Sequence, residues 1–113
     1  MSKISDEYNK LLDKRRKMEG DIDYDNNPVI QEMITLMTAD VSKSIGFLEN
    51  ECTGEQFIWL SEVFDEIIAK TKSSKLIKSL RIVAQKYPEA VREYNIDFFI
   101  DSAADDLENS LER

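Results

Sequence analysis

Ile96-Asp-Phe-Phe-Ile-Asp-Ser-Ala-Ala-Asp-Asp-Leu-Glu-Asn-Ser-Leu-Glu112 is the stretch whose periodicity decides the fold class. At about 100° per residue, Ile96, Phe99, Ile100, Ala103, Ala104, Leu107 and Leu111 share one side, the signature of an amphipathic α-helix. Another side carries Asp97, Asp101, Asp105, Glu108 and Glu112, at spacings of four, four, three and four. Like charges so placed repel by roughly 0.2–0.5 kcal/mol per pair. A helix selected for stability alone would alternate signs there, so the stripe predicts a cationic partner.

Working backwards from Ile96, nearly every segment repeats the helical period and none sustains strand alternation. Asn95 is placed to cap the last helix, and Pro88 to open a short one through Tyr94. Ser73-Ser74 caps a helix whose inner residues are Leu76, Leu80, Val83, Ala84 and Tyr87. Thr53-Gly-Glu-Gln56 matches a capping box and opens a helix expected to run to about Lys72. Upstream, Val29, Ile30, Met33, Ile34 and Met37 form one apolar stripe, and Val41, Ile45 and Leu48 continue it out of phase, predicting a break near Thr38. Asn27-Pro28 would cap that helix. The first helix is expected over 6–19, capped by Ser5 and ended by Gly20, with Tyr8, Leu11, Leu12 and Met18 inward. The expectation is an all-α fold, residues 1–113 forming a single compact domain of five to seven antiparallel helices, a bundle or a short stack of helical hairpins.

Composition narrows the function. The chain of 113 residues carries 23 acids against 15 bases, a net charge of −8, which repels nucleic acid and anionic membranes alike. No run approaches the roughly 18 apolar residues of a spanning helix. Met1-Ser-Lys-Ile-Ser-Asp-Glu7 has no apolar signal core, and the lone Cys52 forms no internal disulfide; both fit a cytoplasmic protein. Without histidine there is no near-neutral proton shuttle, and one cysteine builds no zinc site. Gly20, Gly46 and Gly54 are too scattered to cradle phosphate. The expectation is a protein without catalytic residues, cofactor or metal.

Charge is segregated along the chain. From Glu19 to Glu66 there are twelve acids and one base, from Lys70 to Arg92 seven bases and one acid, and from Glu93 onward seven acids and one base. Blocks of alternating sign can select which helices lie side by side, although exposed ion pairs stabilise little. The run Lys14-Arg-Arg-Lys17 reads as cations favoured near a helix C-terminus rather than as a nucleic-acid patch.

Two helices set an aromatic among acids. In the helix beginning at Gly54, Phe57, Leu60, Phe64, Ile67 and Ile68 line the inner side, while Trp59 falls opposite, between Glu55, Glu62 and Glu66. Phe98 stands likewise near Asp97, Asp101 and Asp105. Aromatics ringed by charge are the composition of a binding hot spot. The same pattern fits Trp59 and Phe98 packed beneath a neighbouring helix. A separate constellation, Asp21-x-Asp23-x-Asp25 with Glu32 at the twelfth position, has EF-hand spacing. Asn26 replaces its glycine, Pro28 and Val29 occupy later positions, and the stretch reads as an acidic interhelical loop.

Glu51-Cys-Thr-Gly-Glu-Gln-Phe-Ile-Trp-Leu-Ser-Glu-Val-Phe-Asp-Glu-Ile67, with Lys86-Tyr-Pro-Glu89 and Tyr94-Asn-Ile96, resembles small bacterial immunity proteins that accompany secreted or contact-delivered toxins. The resemblance implies a cytosolic inhibitor that binds its cognate toxin and occludes or distorts the active site. Many such toxins are nucleases with basic clefts, which an acidic helical face can enter. The wheels then assign the partner-binding residues: Glu55, Trp59, Glu62, Glu66, Asp97, Phe98, Asp101 and Asp105. The chain would act as a monomer or weak homodimer. The competing expectations are a helical adaptor or homodimerising domain and, through the Asp21 loop, a calcium-responsive regulator.

Overall fold

The computed structural model describes residues 3–17 and 28–111, and every regular element among them is a helix. In order these are α1 (Lys3–Arg16), α2 (Pro28–Ala39), α3 (Val41–Asn50), α4 (Gly54–Ser61), α5 (Phe64–Thr71), α6 (Ser74–Lys86), α7 (Pro88–Tyr94) and α8 (Ile96–Leu111). None of them is long and apolar enough to cross a membrane. The all-α expectation holds. The helix count is higher than expected because one predicted helix is two.

That predicted helix, Gly54 to Lys72, breaks at Glu62-Val63 between α4 and α5. Ser61 supplies a local reason: its hydroxyl donates to the Ile58 carbonyl at 2.6 Å, an i−3 bond of the kind that bends helices. Val63 then leaves helical geometry (φ −122°), and its N–H reaches Leu60 O rather than continuing the ladder. The bend keeps Val63, Phe64, Ile67 and Ile68 buried beside Phe57, whose ring lies 5.4 Å from that of Phe64. Lys72 ends α5 in the left-handed region (φ 51°).

The break expected near Thr38 falls at Asp40. That residue is extended, and its carboxylate accepts from Lys43 N, capping α3. Ser44 seals the corner by donating to Met37 O at 2.7 Å. At the head of α4 both halves of the capping box form, Thr53 Oγ1 accepting from Gln56 N and Gln56 Oε1 from Thr53 N. Ser73 caps α6 by accepting from Leu76 N. Pro88 opens α7, and Asn95 (φ 55°) closes it in the left-handed region while its carbonyl accepts from Phe98 N. Ser5, expected as a cap, instead lies buried inside α1, which has already begun at Lys3. Met18, Gly20, Asn27 and the Asp21–Asp25 constellation lie outside the described residues.

One core joins these helices. Tyr8, Leu12, Met33, Phe47, Phe57, Leu60, Val83 and Ile100 are all essentially inaccessible. The final helix packs against both α5 and α6, α1 lies on α2, and α7 spans from α4 to α8. At Gly54 the chain passes close to Tyr87: a Cβ there would stand 3.3 Å from the ring, which would have to give by a few tenths of an ångström to admit it. That ring is held close by its hydroxyl, which donates to Cys52 O at 2.6 Å.

Among the described residues, the hydroxyl of Ser79, on an α6 residue 2 % exposed, is buried without a hydrogen-bond partner. Desolvating a hydroxyl without compensation is unfavourable. Ser79→Ala is therefore expected to raise the unfolding free energy by about 1 kcal/mol, measured by urea denaturation. A loss of similar size would show that the hydroxyl is satisfied in solution.

Candidate partner-binding surface

The surface is built on α8. Ile96, Ile100, Ala103 and Leu107 are buried, Phe99 and Ala104 are half-buried at the two edges, and Asp97, Asp101, Asp105 and Glu108 are exposed. Phe98 projects among these acids and is 60 % exposed, the highest value for any large hydrophobic side chain among the described residues. Of the two readings left open for it, packing beneath a neighbour is excluded.

Trp59 takes the other course. It is half-buried, and the Arg15 guanidinium stands 4.7 Å from its ring centroid. Arg15 Nη2 also reaches Glu62 Oε2 at 3.5 Å, and Arg16 pairs with Glu55. The acids expected to flank Trp59 as a bare field are thus partly neutralised by α1. On α8, Asp101 Oδ1 accepts from Arg81 of α6 at 2.9 Å. Glu66, Asp97 and Asp105 have no ion pair among the described residues. The unneutralised field expected on two helices is therefore reduced on α4 and kept chiefly on α8.

What the structure does bring together is aromatic. Ile58, Trp59, Tyr94 and Phe99 line a groove of about 610 Å³, with Arg16, Glu55 and Glu62 also in its wall. Phe98 packs edge-on against Phe99, ring centroids 5.8 Å apart, so both expected anchors belong to one aromatic array spanning α4, α7 and α8. Tyr94, 48 % exposed, and Phe99 were not among the residues assigned from the sequence. Phe99 read as core, and nothing local in the sequence places Tyr94 beside Trp59.

Reactive groups offer little. The Cys52 thiol is pushed up to about 12 by burial, with Lys86 acting weakly in the opposite sense. Tyr8 is likewise held protonated, chiefly by burial, and its hydroxyl donates to Gln56 O at 2.9 Å. Among the described residues, no three Cys, Asp or Glu side chains are grouped to hold a metal ion. Compared with known protein families, curated proteins and solved structures, the chain gives no significant match.

A further pair of acids meets across the α5–α8 contact. The Asp65 carboxyl is raised above its usual range, first by partial burial and then by the charge of Asp106. An acid that binds its proton more tightly in the fold destabilises the fold above that folded pKa, and relieves it as pH falls. Asp106→Asn removes the repelling charge and is expected to raise the melting temperature at pH near 7. The gain should shrink as pH falls through the carboxylate range around 4, and vanish below it. A gain independent of pH would refute the electrostatic origin.

Proposed function

We propose that this protein is an immunity-type inhibitor: a non-catalytic cytoplasmic binding protein that captures a basic toxin domain, such as a nuclease, through the acidic and aromatic surface of α8. The observation that carries the reading is Phe98, exposed between unpaired Asp97 and Asp105 and continuous with the Trp59–Tyr94–Phe99 groove. An exposed aromatic ringed by acids suits a partner that offers an apolar socket with a cationic rim, as a phosphate-binding cleft does. Charge would speed encounter, and the buried rings would slow release. Glu55, Glu62 and Asp101 contribute less to the field, because each already faces an arginine of its own chain.

The test uses the product of the neighbouring reading frame, which this proposal expects to carry a basic toxin domain, purified in an inactive form. Stopped-flow association should slow steeply with added salt, and Asp97→Lys with Asp105→Lys should lower the association rate by about tenfold or more. Phe98→Ala should act mainly on dissociation, speeding it by about thirtyfold, the effect of removing a central anchor worth about 2 kcal/mol. If neither variant alters the kinetics, the surface is wrongly placed. If no complex forms with the neighbouring product, the immunity reading fails.

A further inference from the structure

Seven bases and one acid lie between Lys70 and Arg92, and the structure gathers part of this excess onto the outer side of α6. Lys75, Lys78, Arg81 and Lys86 are all exposed there, and no acid interrupts them. Ile82, 37 % exposed, sits in their midst. Lys75 and Lys78 have no ion pair among the described residues, and Lys86 is turned to the backbone carbonyl of Glu49. Cations three and four residues apart on a helix repel, as the α8 acids do. Two neighbouring helices therefore each bear a repulsive stripe, and the stripes have opposite signs.

The two helices are antiparallel neighbours. Arg81 bonds Asp101, and Ala84 and Gln85 from the later half of α6 share a groove with Asp97 at the start of α8. On a wheel turning about 100° per residue, the middle of each exposed arc lies roughly 100° from the edge where the helices touch. Because the helices run in opposite directions, these rotations point both arcs to the same side. The α6 cations and the α8 acids thus form parallel bands on one face, joined in the middle by the Arg81–Asp101 bridge. Ile82 and Phe98 are two of only three exposed large hydrophobics among the described residues, and each stands in one band.

We propose that this face binds a second copy of the chain, forming a two-fold symmetric dimer. A two-fold axis lying in the plane of the face, parallel to the two helices and midway between the bands, lays the α6 band of one copy on the α8 band of the other, and does so twice, as a closed isologous contact requires. Lys75 and Lys78 then meet carboxylates that lack partners within their own chain, and Ile82 and Phe98 lose their exposure. This inference does not rest on the toxin-binding reading, since charge complementarity between the two bands carries it alone. If both hold, a basic partner and the second copy compete for Asp97, Phe98 and Asp105.

Sedimentation equilibrium of the purified protein at low salt, from micromolar to near-millimolar concentration, tests it. The mass should rise from one chain to two and no further, and added salt should return it to one. Lys75→Glu with Lys78→Glu reverses the two cations of the α6 band that lack an ion pair, and Asp97→Lys with Asp105→Lys reverses two such acids of the α8 band. Each variant alone should self-associate about a hundredfold more weakly, because like charges now oppose across the contact. Mixed together they should form a one-to-one dimer, since every band again meets its opposite. All four positions are exposed, and circular dichroism of each variant verifies its fold. A wild-type mass of one chain throughout, growth beyond two chains, or variants that dimerise alone or fail to pair when mixed would each overturn the proposal. Those results leave kinetics with the toxin domain untouched.

Discussion

Gln56 is the junction on which the arrangement of charge depends. Its side-chain oxygen completes the capping box of α4, its amide nitrogen donates to Asn9 Oδ1 at 2.5 Å, and its backbone carbonyl accepts from buried Tyr8. One residue thus starts α4 and fixes α1 against it. With α1 seated, its last turn carries Arg15 and Arg16 to Trp59, Glu62 and Glu55. A buried hydrogen-bonded node is costly to break, because every unmade bond leaves a desolvated group. The docking of α1 consequently decides which acids are balanced inside the molecule and which face outward.

Much of the fold was legible because its signals are local. The capping box at Thr53–Gln56, the Ser73 cap, the proline opening α7 and the 3.6-residue stripe of α8 each state their structure within a few residues. The break at Asp40 announced itself as a change of phase, since an aspartate there caps one helix while the preceding apolar set ends another. The break at Val63 did not. The inner residues remain nearly in phase across it, and only the back-bonding of Ser61 marks the bend.

The candidate surface was legible by half. The setting of Phe98 among acids could be read from α8 alone, because those acids belong to its own helix. Its exposure was decided only by the absence of a covering helix among the described residues of the fold. Trp59 could not be placed locally, for its cover comes from Arg15, which lies 44 residues earlier and reads locally as a helix-terminal cation. Pairings such as Arg81 with Asp101 or Asp65 with Asp106 are likewise products of packing and leave no trace in spacing. Composition supplied the sign of the field, and tertiary structure supplied its location. The alternating blocks of charge in the sequence became adjacent helices of opposite sign, bridged where they touch and uncompensated where they face outward. Exposed bridges of this kind stabilise only by about 0–1 kcal/mol, so their effect is on arrangement and on what the surface attracts.

Carboxylates stand together on α8 at an energetic cost that the fold itself does not remove. Thermal unfolding against salt measures that cost directly, at concentrations dilute enough for single chains. Between about 10 mM and about 150 mM salt the screening length falls from about 30 Å to about 8 Å, so repulsion among exposed charges weakens. The melting temperature is expected to rise across that range, and to rise less in a chain carrying Asp97→Asn and Asp105→Asn. A melting temperature that stays level or falls with salt would mean that attraction within the molecule already balances these acids, contradicting the account.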